Sequence, residues 1–334
     1  MFFSIVVPTF SRPDEVNELL ISLENQLVKN FEVIIADGSA DDSVKQIVEQ
    51  HIDKLGLKYL YEKGLDISES RNWGVQNAKG DFVVFFDSDC IIPPEYFQKV
   101  TDYLKINSLD VWGGPDKADK SFNYKQKSIS YAMTSLFTTA GIRGKKYAAG
   151  EFQPRSFNMG IRRNVFHEIG GFSGLKVSED IDLSIRLYKK GYRIGLIDEA
   201  YVFHKRRSSL YKFFRQVFSF GSGRIDLQIR HANALKPVHL LPALFVLYIL
   251  AGLIIGLISY KFFLLWAITI IGYCALIFID STVQNHNPFV GLLSIYSSFV
   301  MLIGYGLGMI KATIMRFIFK NQKETEKPQI TREA

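Results

Sequence analysis

Three uncharged stretches, residues 240–259, 262–279 and 288–310, contain 20, 18 and 23 residues and follow one another closely. At about 1.5 Å of rise per residue, roughly 20 residues cross a hydrocarbon layer, so each stretch is long enough or nearly so. Three such helices buried in a soluble core would need more surrounding protein than this 334-residue chain supplies. The expectation is a soluble section, in which short apolar runs alternate with polar ones up to residue 236, followed by membrane helices.

The formal net charge of +7 is concentrated at the junction. Lys205, Arg206, Arg207, Lys212, Arg215, Arg224, Arg230 and Lys236 are opposed there only by Asp226. Basic residues flanking a first span favour the cytoplasmic face and anionic headgroups, which places the soluble part in the cytoplasm with membrane lipids as partners. Nucleic acid is the rival ligand of such a patch, but membrane proximity already accounts for the charge, so no nucleic-acid partner is expected. Residues 2–7 have no basic segment ahead of them and read as no secretion signal. Cys90 and Cys274 suggest no disulfide framework.

Within the soluble part, residues 3–7, 31–36, 57–61 and 82–86 read as strands, and 12–26, 42–55 and 68–77 carry apolar residues at helical spacing. Alternation with short connections predicts an α/β fold with a mainly parallel sheet. Ligands of such sheets bind beyond the carboxyl ends of the strands, so Thr9, Asp37, Asp87 and Asp89 should converge on one edge. No glycine-rich dinucleotide fingerprint and no GxxxxGK[ST] loop is present, which disfavours those phosphate-binding classes.

Two aspartates at i and i+2 after a buried strand, Asp87 and Asp89, can approach one cation; hard carboxylate oxygens suit Mg²⁺ or Mn²⁺, which would bridge diphosphate oxygens. Glu179 and Asp180 open a helical pattern. They read either as carboxylates held at a pocket, where one accepts a proton, or as first-turn acids behind a Ser178 cap. His204 reads as a metal or phosphate ligand or as a structural histidine. The aromatic residues Tyr124, Tyr131, Phe137, Tyr147, Phe152 and Phe157 read as sugar-stacking or as core. Arg143, Lys145 and Lys146 read as a loop over an anionic acceptor or as a solvated basic loop.

The segments IVVPTFSRPDEV, VIIADGSADDS, SESRNWGVQNAKGDFVVFFDSDC, NMGIRRNVFHEIGGF and SEDIDLSIRLYKKGYRI resemble, in order, the signatures of family 2 glycosyltransferases of the GT-A type. The resemblance covers roughly residues 3–236. It implies that Asp37 contacts the nucleotide base, that Pro8 and Thr9 line that pocket, and that Arg71 lies close to the nucleotide. It also implies that Asp87 and Asp89 bind metal and diphosphate, that Asp180 is the general base, and that His204 is directed at the metal. Ala36 departs from a frequent aspartate, and 214–220 lacks QxxRW, so processive polymerisation is not expected.

The tail further resembles membrane-associated exopolysaccharide transferases of the bacterial inner membrane. The implied activity is inverting, non-processive transfer from a nucleoside-diphosphate sugar, UDP-linked, to a polyprenyl-linked saccharide. A polyprenyl-phosphate sugar synthase and a non-catalytic membrane scaffold are the alternatives. The expected divisions are a nucleotide-sugar half (1–110), an acceptor half (111–204), a basic interfacial segment (205–238), membrane helices (239–310) and a basic tail (311–334). Three full crossings would put that tail, with Lys311, Arg316, Lys320, Lys323, Lys327 and Arg332, opposite the soluble part, against the charge rule. Gly304, Gly306 and Gly308 mark the last run as a candidate for packing against protein.

Overall fold

The apolar runs form strands where expected. In chain order the strands are β1 (Phe3–Thr9), β2 (Phe31–Asp37), β3 (Leu57–Tyr61), β4 (Phe82–Phe86), β5 (Cys90–Ile91), β6 (Val111–Gly113), β7 (Asp116–Lys117), β8 (Asn158–Arg162), β9 (Ile194–Leu196) and β10 (Val202–His204). The computed structural model describes residues 1–117, 122–139, 151–205 and 209–318. Seven strands make one sheet in the order β3-β2-β1-β4-β8-β6-β9, parallel except where β8 pairs with β4 and β6. A small second sheet, β5-β10-β7, brings residues 90–91 beside 202–204.

The soluble helices are α1 (Pro13–Glu24), α2 (Ser43–Glu49), α3 (Ile67–Gln76), α4 (Tyr96–Ile106), α5 (Tyr124–Thr134), α6 (Leu136–Thr139), α7 (Arg163–Ile169), α8 (Glu179–Lys189) and α9 (Leu210–Arg230). Side chains alternate across the sheet: Phe3, Ile5, Val7 and Phe86 pack with α1 and α4 on one face, and Val6, Val83 and Phe85 with α7 and α8 on the other. Burying each such side chain contributes about 1.5 to 3 kcal/mol, which fixes the strand ends that carry the polar residues. The helix expected over 42–55 is shorter. After Glu49 the chain turns, and the buried His51 ring reaches Asn17 Oδ1 at 2.8 Å and also Glu24.

Among the described residues, three helices are long and apolar enough to cross a membrane: α10 (Leu241–Ile258, entered through a 3₁₀ turn at Pro237–Leu240), α11 (Tyr260–Asn285) and α12 (Pro288–Thr313). The first two form an antiparallel hairpin in which Trp266 covers Gly252 and Phe263 covers Gly256. Their candidate spans are only 11% and 6% buried, whereas that of α12 is 50% buried.

The cover on α12 comes largely from the soluble part. Phe289 meets Tyr124 edge to face at 5.4 Å, Ser297 bonds Ser128 at 2.8 Å, and the Ser222 hydroxyl donates to the Gly308 carbonyl at 3.0 Å. At Gly221, Gly304 and Gly308 a Cβ would collide with the facing helix, so α9 and α12 approach backbone to backbone. α12 also meets α10 and α11, with Gly306 on Pro242 and Val246, Phe299 on Phe245 and Tyr273, and Gly291 on Phe278 and Thr282.

Candidate functional site

A cavity of about 360 Å³ opens at the carboxyl edge of β1 and β4. Pro8 and Thr9 come from the end of β1, Arg12 from the residue before α1, Asp87, Ser88 and Asp89 from the turn after β4, His204 from the end of β10 and Lys205 from the residue after it. Ile129 and Met133 of α5 and Gln216 of α9 close the side nearest the membrane section.

Asp89 is the hub of the charged wall. Its Oδ2 accepts a 3.0 Å hydrogen bond from Arg12 Nη1, and His204 Nε2 lies 3.0 Å from its Oδ1. The His204 ring is held by stacking on Phe157, with centroids 4.7 Å apart, and its Nδ1 is buried with no hydrogen-bond partner among the described residues.

Asp89, Cys90 and His204 bring one donor atom each within 4.8 Å of one another. Burial, with Asp89 and Asp87 adding to it, pushes the Cys90 thiol well up, so this sulfur stays protonated; it donates to the Phe157 carbonyl at 3.6 Å. A carboxylate oxygen and an imidazole nitrogen converging beside a polar cavity fit a divalent metal ion. Thr9 Oγ1, on the cavity wall, is buried and lacks a hydrogen-bond partner among the described residues.

Asp87 stands outside that cluster. Its Oδ1 is paired at 2.7 Å with Arg71 Nη2, whose second arm, Nη1, donates to Glu179 Oε1 at 2.8 Å. Arg71 is fully buried behind the cavity and also lies 5.3 Å from the Phe172 ring centroid. It therefore fastens the turn after β4 to the first residue of α8. Burial, reinforced by Asp180 and opposed by Arg71, raises the Glu179 carboxyl above its ordinary range.

Asp180 follows at the N-terminus of α8, outside the cavity lining. Its Oδ1 accepts from the Ile181 amide at 2.8 Å, and Arg155 Nη1 lies 3.6 Å from its Oδ2. Ser178 makes no side-chain cap to α8; it sits in a left-handed conformation with φ of +66°. Asp37 is also outside the lining. Fully buried at the end of β2, it accepts from the Ser39 amide at 2.9 Å, from the Ser39 hydroxyl and from the Tyr59 phenol at 2.7 Å. Ser39 in turn accepts from the Ser11 amide at 2.7 Å, so Asp37 holds the loops after β1 and β2 together.

Of the residues selected from sequence, Pro8, Thr9, Asp87, Asp89 and His204 thus share one cavity, with Arg71 behind it and Asp37 and Asp180 to its sides. Arg12, Lys205 and the α5 wall were not selected as site residues, and Glu179, read with Asp180 as a pocket carboxylate, instead pairs with Arg71. Arg12 lies inside the first quoted segment, and Asn123 with Gln126 forms the capping box that announces α5. Tyr131, a candidate sugar-stacking ring, instead donates from its hydroxyl to Asp280 of α11 at 2.7 Å. Tyr147, Arg143, Lys145, Lys146, Arg206 and Arg207 lie outside the described residues.

Residues 4–170 match the model of "Glycosyl transferase family 2". Succinoglycan biosynthesis protein ExoA of Rhizobium meliloti (strain 1021) is 24% identical over 313 residues, 91% of this chain and 92% of that protein. An uncharacterized glycosyltransferase of Haemophilus influenzae (strain ATCC 51907 / DSM 11121 / KW20 / Rd) is 31% identical over 219 residues, 62% of this chain and 70% of its own length. Among solved structures, mannosyltransferase PcManGT from Pyrobaculum calidifontis, in complex with GDP-Man and Mn²⁺, aligns with a TM-score of 0.59 at 15% identity, over 93% of this chain and 86% of that one. At that identity the likeness concerns the fold alone.

Proposed function

Because the chain belongs to glycosyl transferase family 2, we propose that it moves a sugar from a UDP-linked donor to a hydroxyl of a polyprenyl-linked saccharide, one residue at a time and with inversion, in assembling a cell-surface polysaccharide. The observation that carries this reading is the shared cavity of Thr9, Arg12, Asp89, His204 and Lys205, walled on one side by two helices that pack on the membrane section. The near-full-length likeness to a succinoglycan biosynthesis protein supports the polysaccharide context.

Pro8 and Thr9 line the nucleotide end of the cavity, and the loops that Asp37 fastens flank it. Arg12 and Lys205 add positive charge for the diphosphate, with Asp87 oriented by Arg71. Asp89 and His204 are the residues that would hold Mg²⁺ or Mn²⁺, which when bound would supply charge against the leaving diphosphate. Asp180 takes the proton of the acceptor hydroxyl as that oxygen attacks the anomeric carbon from the face opposite the leaving group. The basic junction supports a catalytic part on the cytoplasmic face of a bacterial inner membrane.

The test is incubation of detergent-purified protein with Mn²⁺ and a panel of nucleotide sugars, following donor hydrolysis and then transfer to polyprenyl-diphosphate saccharides. Hydrolysis of one UDP-sugar with a lengthened lipid-linked glycan is the expected outcome. No nucleotide binding with any donor would overturn the catalytic reading, and a polyprenyl phosphate sugar as sole product would overturn the acceptor assignment.

A further inference from the structure

Arg224, in the last third of α9, is only 9% exposed, yet its Nε has no hydrogen-bond partner and it forms no ion pair among the described residues. Its charged neighbours deepen the imbalance. The buried His239 lies in the common field of Arg224, Lys236 and Arg155, and the Lys236 amide donates to His239 Nδ1 at 3.0 Å. A buried guanidinium without a carboxylate, set among other cations, is costly unless an anion completes it.

The position of this cluster narrows what the anion is. Gly223 packs on Val177 and Ser178, where a Cβ would lie 3.0 Å from the Ser178 hydroxyl, so the turn of α9 that carries Arg224 packs against the segment that opens α8. Arg155 Nη1 lies 3.6 Å from Asp180 Oδ2 at that helix start. Lys236 immediately precedes the first candidate span, Pro237–Ile258. The donor cavity ends at Gln216, eight residues earlier on α9 and about 12 Å away along the helix axis.

We propose that Arg224, Arg155 and Lys236 form a binding site for the phosphate of a membrane-borne phosphate ester, separate from the donor cavity and next to Asp180. Planar guanidinium forks and an ammonium suit phosphate oxygens, and the foot of a membrane helix is where such a headgroup lies. The assignment rests on the lipid-linked acceptor reading and adds its anchor. The phosphate is gripped at the membrane surface while the sugar it carries extends to the Asp180 carboxylate.

Farnesyl phosphate is the probe, titrated into full-length protein in detergent, with farnesol and inorganic phosphate as controls. The site predicts saturable binding of farnesyl phosphate that excess UDP does not displace, with Arg224→Gln and Lys236→Gln each weakening it at least about tenfold, the lower end for a charge-assisted hydrogen bond. Lys236 is exposed, so its variant carries the test should the Arg224 variant unfold. Equal binding of farnesol, binding of inorganic phosphate as tight as that of farnesyl phosphate, competition by UDP, or indifference to Lys236→Gln would each overturn it. Donor hydrolysis on the same preparation separates the two claims. Hydrolysis without farnesyl phosphate binding sinks this site alone, and binding without any nucleotide interaction sinks the transferase reading alone.

Discussion

Arg71 holds two carboxylates that lie far apart in sequence, Asp87 and Glu179, and is itself completely buried. Removing one member of a buried charged group leaves the others uncompensated, so Arg71→Met should destabilise the fold by about 3 to 5 kcal/mol in chemical unfolding of the purified protein. Asp180 has the opposite profile, with little to hold structurally beyond its own helix start. Asp180→Asn should lower turnover at least about 10²-fold while leaving nucleotide affinity near normal. Single-turnover transfer and nucleotide titration check the two halves separately, and near-normal transfer would remove Asp180 from the role of base. Asp87 and Asp89 were legible because a strand of unbroken apolar residues ends at them. The Arg12–Asp89 and Arg71–Glu179 pairs were not, since their members stand 77 and 108 residues apart and no local spacing encodes such a meeting.

Between elements, the joint that sets α8 against α9 is Asp182. Its carboxylate is fully buried and accepts from Ser173 at 2.6 Å, from Arg186 at 2.9 Å and from His231 Nε2 at 2.7 Å. Burial alone would raise this carboxyl, but the Ser173 hydroxyl, the Arg186 guanidinium and His231 together hold it below its ordinary value. A depressed acid contributes stability above the unfolded value near 3.9 and loses it as pH falls through the folded one. Asp182→Asn should therefore cost about 1 to 3 kcal/mol at pH 7, and the gap between its melting temperature and that of the parent protein should start to close only as pH falls below about 4. Sequence periodicity placed α8 because its apolar residues recur at helical spacing. It could not show that Ser178, left-handed and packed against Gly223 from α9, leaves the helix uncapped, since that contact joins residues far apart in sequence. The α5 helix was visible only through its capping box, and its apolar residues turn to the membrane helices and the cavity rather than to the sheet.

At the scale of the whole molecule, the last apolar helix behaves unlike the first two. Its start meets Tyr124 and Ser128, its glycines meet α9, and just beyond it Arg316 pairs with Asp226 at 3.2 Å. Both ends of α12 therefore rest on the soluble part, while α10 and α11 project beyond it as a hairpin. If α10 and α11 alone cross, the chain returns to the side from which it entered, and the basic residues after α12 obey the charge rule that three crossings would break. A reporter fused after residue 334 should report the same compartment as one fused before residue 1; opposite compartments would establish an odd number of crossings. Length and hydropathy could not distinguish a helix that crosses from one that lies along the protein, because both are long and apolar.

The donor cavity borrows Ile129 and Met133 from α5 and Gln216 from α9, and both helices are seated on α12. The membrane part is accordingly masonry and not mooring. A fragment cut after residue 205 would keep the sheet and the carboxylates but present a trench open on one side, and its nucleotide affinity should fall at least about tenfold in direct titration. The bilayer in which the hairpin is set then decides whether a sugar nucleotide has a closed room to enter.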